Sequence, residues 1–347
     1  MSVLKIVLYV VLFLVLLFGA FLLYFTLTGY DPGKEEVLAR KDNPGRISQD
    51  TVSMLIWNIG YAGLGEDMSF FYDGGKQVRT PKTRLEENLQ GIADVLNDYE
   101  DIDFYLLQEV DVASKRSYHT DQFRRIHNHL SAHHGYFALN YRVQFIPVPL
   151  TSPLGKVTSG LATFSSHLPS RVTRYDFAGE YDWPRKLFML DRCFVALRVP
   201  VTNGRELVVV NTHNSAYDQG KLKNKEMNEL KQFLLAEYEK GNYLIAGGDW
   251  NQYPPSLSSN PDKAPGLDPD KTTVIPSGFM PEGWQWVYDP KTPTNRSLER
   301  PYSESSAKAV IDYYLASPNV TPLKVETRNM EFLHSDHHPV YALFRLD

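Results

Sequence analysis

Residues 243–252 read YLIAGGDWNQ: an apolar run, two glycines, then an acid, an aromatic and two amides. A short apolar run bounded by turn residues is a buried strand. A strand that stops on Asp249 and Asn251 delivers polar groups to a loop while a sheet holds their backbone, the usual way a fold builds a site. The same design recurs in both directions. Leu55-Ile56-Trp57 ends in Asn58, Leu106-Leu107 in Gln108-Glu109, and Val208-Val209-Val210 in Asn211-Thr212-His213-Asn214. Ile311 precedes Asp312, and Ser335-Asp336-His337 leads into the last apolar run.

Between these runs the chain alternates strands and helices. Strands are expected at Ser53–Trp57, Phe104–Leu107, Gly160–Phe164, Phe194–Val199, Leu207–Val210, Tyr243–Ala246, Val310–Leu315 and Val340–Phe344. Thr80-Pro81 predicts an N-cap followed by proline at the first helical position, and Leu85, Leu89, Ile92 and Leu96 then recur at helical spacing. Leu222 to Tyr238 predicts a second amphipathic helix, and Thr202-Asn203-Gly204 a hairpin turn. Strands outnumber helices and some neighbours are hairpins. The fold class is therefore α/β with mixed sheets packed together, not a purely parallel doubly wound sheet.

The chain has 347 residues, one cysteine and a formal net charge of −5. A lone Cys193 excludes an internal disulfide and any multi-cysteine metal site. The acidic balance argues against tight duplex nucleic-acid binding, which relies on a basic excess. The charge is unevenly spread: Ile6 to Tyr30 carries none. Residues 6–29 are long enough to span a bilayer, with Tyr24 and Tyr30 at the level of an interfacial aromatic belt. A cleaved signal peptide has a shorter apolar core, and this one runs on past Gly19-Ala20. The expected plan is a tail over 1–5, a transmembrane helix over 6–29, a polar linker over 30–50 and a folded domain over 51–347. A positive-inside count sets Lys5 against Lys34, Arg40, Lys41 and Arg46 and favours a cytoplasmic domain. A short tail before a large domain is instead the arrangement of a signal anchor, and on that ground a single-pass protein with an extracytoplasmic domain is expected. A monomer is expected.

The strand-end residue types suit metal-assisted attack on phosphorus. Hard oxygen ligands hold Mg²⁺ or Mn²⁺, a carboxylate or imidazole orients water, and amide and imidazole donors stabilise charge on phosphoryl oxygens. Taken singly, each residue is ordinary turn or surface chemistry; the ordered set is not. The series WNIG (57–60), LLQEVD (106–111), VNTHN (210–214), GGDWNQ (247–252), IDYYLAS (311–317) and SDHHPV (335–340) resembles the endonuclease/exonuclease/phosphatase superfamily, which includes deoxyribonuclease I-like enzymes. The resemblance covers the whole domain from about Thr51 to Leu346. It implies a four-layer α/β sandwich, two face-to-face mixed β-sheets flanked by helices, here preceded by one transmembrane helix. It also implies Glu109, Asn58 and Asp336 as the metal group. His213, Asp249, Asn251, Asp312 and His337 are implied as the catalytic set. In that assignment Asp249 orients or deprotonates water, and His213 binds a phosphoryl oxygen or protonates the leaving group. Asn251 contacts phosphate, and Asp312 partners His337. One departure stands out. Some relatives carry an acid two positions after the strand-end Asn, where this chain has Gly60.

The implied reaction is hydrolysis of a phosphodiester or phosphomonoester by in-line water attack. A nuclease and a phospholipid or sphingomyelin phosphodiesterase are the two substrate readings, and a catalytically silent tethered binding domain is the alternative of another class. The aromatic loop Ser69–Lys76 is a candidate substrate lip, and Arg116, Arg185, Lys186 and Arg192 are candidate phosphate contacts. His129 and His133, four apart, are expected on a solvated helix, since no zinc-protease Glu accompanies them. No G-x-S-x-G elbow, Walker loop or G-x-G-x-x-G fingerprint is present.

Overall fold

Runs such as Val208–Val210 and Leu244–Ala246 are apolar without alternation, so both faces of their sheet must be covered. A computed structural model describes residues 2–99, 101–179, 181–216, 221–255, 257 and 273–347 and shows how. In chain order the helices are α1 (Val3–Thr28), α2 (Lys82–Asn97), α3 (Gln122–His129) and α4 (Lys221–Glu239). The strands are β1 (Glu35–Arg40), β2 (Thr51–Asn58), β3 (Phe104–Asp111), β4 (His134–Ile146), β5 (Gly155–Ser165), β6 (Arg171–Asp176), β7 (Cys193–Pro200), β8 (Glu206–His213) and β9 (Tyr243–Asp249). There follow β10 (Gln252–Tyr253), β11 (Thr273–Val274), β12 (Gln285–Val287), β13 (Asn295–Arg296), β14 (Lys308–Ala309), β15 (Asp312–Ala316), β16 (Val320–Thr327) and β17 (Val340–Leu346).

Two mixed sheets carry the domain, one ordered β1-β6-β7-β8-β9-β15-β12 and the other β16-β17-β2-β3-β5-β4. Their inner faces meet in one core, where Met54, Ile56 and Leu106 of one sheet pack with Val195, Val209 and Ile245 of the other. Leu85, Leu89 and Ile92 of α2 cover the outer face of the second sheet over Leu55, Trp57 and Leu107. Met227, Leu230 and Leu234 of α4 cover the first over Val208, Val210 and Leu244. The result is the four-layer sandwich. Each sheet is centred on a parallel pair joined through a helix, β2–α2–β3 and β8–α4–β9. The carboxyl ends of both units point to the same edge of the sandwich, where loops have room for a site.

A polar bolt crosses the core just below that edge. The Gln108 amide donates to Asn211 Oδ1 at 2.7 Å, and the Asn211 amide donates to Ala162 O at 3.2 Å and Thr163 Oγ1 at 3.1 Å. Both amides are fully buried. Truncation would strand their partners, and a stranded buried polar group costs about 1–3 kcal/mol. Asn211→Ala is therefore expected to lower stability by about that amount, read as a drop in the urea midpoint; an unchanged midpoint would show the bolt to be dispensable.

Several local expectations change. Residues 30–50 are not a free linker. Glu35–Arg40 forms β1 and pairs antiparallel with β6, and Ile47 bridges to Val201. The polar composition disguised an edge strand, which needs a covered face on one side only. The α2 boundary falls one residue later than Thr80-Pro81 predicts: Pro81 occupies the cap position and no side chain caps the helix. His133 is not on a solvated helix face. The helix α3 ends at His129, and His133 is buried with Nε2 2.7 Å from Ile102 O.

Helix α1 stands apart from this architecture. It has 26 residues, about 39 Å at 1.5 Å per residue, and is apolar and exposed along most of its length. By length and composition it can cross a membrane.

Candidate active site

The carboxyl ends of β2, β3, β8 and β9, the start of β15 and the loop before β17 converge on a cavity of about 560 Å³. Asn58, Glu109, His213, Asp249, Asn251, Asp336 and His337 line it. Asp312, the remaining expected residue, lies behind His337.

Local backbone geometry turns these side chains into the cavity. Glu109 has φ +54° at a bulge where the β3–β5 register shifts between Leu107 and Val110. Bulges re-aim side chains near sites, and a non-glycine residue at positive φ is strain the fold must hold. Asn251 has φ +50°, with its N–H on Asp249 Oδ1 at 2.9 Å and its amide donating to Asn214 O at 2.8 Å. Asn58 Nδ2 donates to Asp249 Oδ2 at 3.0 Å and lies 3.5 Å from Glu109 Oε1, while its Oδ1 accepts from Gly60 N at 3.0 Å. The Asn58 amide nitrogen thus faces the two carboxylates.

His337 Nδ1–H donates to Asp312 Oδ2 at 2.8 Å, which leaves Nε2 facing the cavity 3.8 Å from Asp249 and 4.0 Å from Asp336. Burial opposes its charge, but Asp312, Asp336 and Asp249 outweigh burial and raise the imidazole to about 10. His213 is the opposite case. Burial, then the positive charge of Arg192 and of His337, hold it well below the ordinary histidine value, so its ring is neutral. Its Nε2 lies 3.5 Å from Asp249 and 3.9 Å from Glu109. Burial and then Asp312 raise Asp249 to about 6, against the His337 charge. Burial raises Asp336 to about 7; His337 opposes this and Glu109 adds to it.

Gly60 explains the departure noted in the sequence. Its φ is +49°, and a Cβ there would sit 2.8 Å from Asp336 Oδ1. The space an acid at position 60 would need is filled by the Asp336 carboxylate.

The donor chemistry fits a hard divalent cation. Glu109 and Asp336 act on one another as like charges, and His337, the cation acting most strongly on Asp336, is already committed to Asp312. Asp249, Asp312 and His337 also approach closely, with ligand atoms within 4.8 Å of one another. In that group the ring is positively charged and spends Nδ1–H on Asp312, so the oxygen-rich Glu109–Asp336 side suits Mg²⁺ better.

Arg116 and Arg192 line the cavity, whereas Arg185 and Lys186 are exposed outside it. Arg116 pairs with Asp111 through both Nε and Nη2 and lies 3.7 Å over the Tyr61 ring. In the aromatic loop Phe70 is buried against Tyr61, Leu64 and Met68, while Tyr72 and Asp73 reach the cavity rim. One residue had no sequence signal: Asn295 Nδ2 lies 2.9 Å from His337 Nε2. It sits on a two-residue strand without an apolar run to mark it.

Residues 55–337 match the model of the Endonuclease/Exonuclease/phosphatase family, and the chain belongs to that family. Its fold is similar to an endonuclease/exonuclease/phosphatase from Beutenbergia cavernae (TM-score 0.59, 20% identity, 86% of this chain and 72% of that one). It is similar to ANGEL2, described as a 2′,3′-cyclic phosphatase (TM-score 0.55, 18% identity, 88% and 97%). It is also similar to a truncated Caenorhabditis elegans TDP2 (TM-score 0.52, 16% identity, 85% and 97%). No curated protein matches the chain in sequence.

Proposed function

We propose that this protein is a membrane-anchored, divalent-metal-dependent hydrolase of phosphate esters, with its domain outside the cytoplasm. The observation that carries the catalytic part is the pairing of a buried carboxylate raised towards neutrality with a histidine held charged, 3.8 Å apart across the cavity. Groups whose environments drive their protonation apart are the mark of an acid–base site.

Glu109 and Asp336 would hold Mg²⁺, with Asn58 steadying Glu109 and Asp249 through its amide. The ion, when bound, supplies Lewis acidity and a fixed position for a phosphoryl oxygen. Asp249 takes a proton from the attacking water and is oriented for this by Asn58 and the Asn251 N–H. His337, charged and braced by Asp312, lies opposite negative charge developing on the phosphoryl oxygens or on the leaving oxygen. Neutral His213 is a poor acid but a sound hydrogen-bond donor, which favours contact with a phosphoryl oxygen. Asn251 stands beside it. Positioning and electrostatic complementarity supply most of the catalysis in phosphoryl transfer.

The purified full chain, offered bis-p-nitrophenyl phosphate, is expected to lose turnover in EDTA and regain it with Mg²⁺. Turnover indifferent to chelator would end the metal assignment. No turnover of this ester, DNA, RNA, phospholipid or inositol phosphates under any metal would favour the silent binding domain.

A further inference from the structure

The β4–β5 hairpin carries large apolar side chains that the described residues leave exposed. Leu150 at its tip is 85% exposed, and Phe145 and Val148 are also exposed. Beside it, in the segment before β7, Trp183 is 55% exposed. Monomeric proteins seldom leave such residues together without a partner.

The partner is indicated by what this patch adjoins. Phe188, from the 3₁₀ turn Arg185–Phe188, packs with Ile146 and Leu154 of the hairpin. The same ring meets Phe21 and Phe25 of α1, at centroid distances of 6.1 and 5.5 Å. Trp183 Nε1 donates to Thr26 Oγ1, also on α1, at 3.2 Å. Phe188 and Trp183 therefore touch the last turns of an apolar helix, and Phe188 links that helix to the base of the hairpin. Directly after that helix Tyr30 lies 5.8 Å from the Arg142 guanidinium, an aromatic–cation pair of the kind found at a headgroup level.

We infer that the β4–β5 tip and the Trp183 loop dock into the bilayer that holds α1, and open the active-site cavity onto its headgroup layer. Leu154, Met189 and Leu190 join this surface to the cavity wall. The substrate class that such a cavity meets is a phosphate ester carried on a membrane lipid. The inference rests on the anchor and phosphoesterase readings above.

The single cysteine allows a direct test. Cys193 is buried and resists labelling, so Leu150→Cys accepts one polarity-sensitive fluorophore. Thr202→Cys, in the exposed turn at the far end of β8, is the control. In full-length protein reconstituted in phosphatidylcholine–phosphatidylserine vesicles, the label at 150 is expected to shift to the blue and lose most of its emission to nitroxide lipids, while the label at 202 does neither. Equal, water-like emission at both sites in protein that floats with the vesicles would overturn docking and leave the anchor intact. Protein that does not float would overturn both. Leu150→Asp is then expected to reduce hydrolysis of vesicle phospholipid severalfold and leave bis-p-nitrophenyl phosphate turnover unchanged. Parallel loss on both esters, or no phospholipid hydrolysis by the wild type, would overturn the substrate class.

Discussion

Asp249→Asn will lower kcat by about 10²–10⁴-fold, the usual worth of a positioned general base, while leaving the fold in place. The amide keeps the shape of the carboxylate, but its single oxygen can accept from Asn58 or from the Asn251 N–H and not from both, and it cannot take a proton. Burial and Asp312 raise Asp249 to about 6, so in the wild type activity is expected to climb with pH through about 6 as the carboxylate forms. It should fall again through about 10 as His337 loses its proton. The variant should lose the part of the acid limb that Asp249 contributes and keep the part due to Asp336, which is raised to about 7. Its stability should move the other way. A carboxyl whose folded pKa lies above its ordinary 3.8 destabilises the fold increasingly as pH rises from about 4 to about 6, and fully above that. Removing the charge should therefore raise the Tm at neutral pH, a common trade at catalytic positions. Full activity with an unaltered pH profile would remove Asp249 from the reaction.

The second large effect concerns a pair. His337→Gln and Asp312→Asn should each reduce kcat by about 10²–10⁴-fold, since Asp312 holds the ring through Nδ1 at 2.8 Å and sustains its charge. If they act as one unit, the double variant will be little worse than the more severe single change. Multiplicative losses would mean that Asp312 serves something other than His337. The measurement is single-turnover kinetics on bis-p-nitrophenyl phosphate at saturating Mg²⁺.

How far the site could be read from the chain follows from where its residues sit. Asn58, Glu109, His213 and Asp249 all end apolar runs in sheets covered on both faces, and that combination leaves a clear trace in sequence. Asn295 leaves none, because its position depends on the Asn295–His337 bridge, a contact between residues 42 positions apart. The positive φ of Glu109 is likewise hidden, since glutamate does not mark left-handed backbone as glycine does, or as asparagine does more weakly at Asn251. Strand β1 leaves no trace in the sequence because Glu35, Glu36 and Arg40 outweigh its apolar positions, and only its pairing with β6 makes it a strand. The order of strands across each sheet is a matter of long-range pairing, on which local periodicity is silent.

The strand β1 has a mechanical consequence. Between the end of α1 and the start of β1 lie only residues 29–34. Even fully extended, that segment reaches about 20 Å at 3.3–3.6 Å per residue. With α1 in a membrane, the domain is not a ball on a long tether sweeping the volume above the bilayer. It rides as a low cart whose height and tilt are set by its axle. If its substrate is held in the same membrane, encounters are governed by lateral diffusion in two dimensions, and its rate should follow surface density and not bulk concentration.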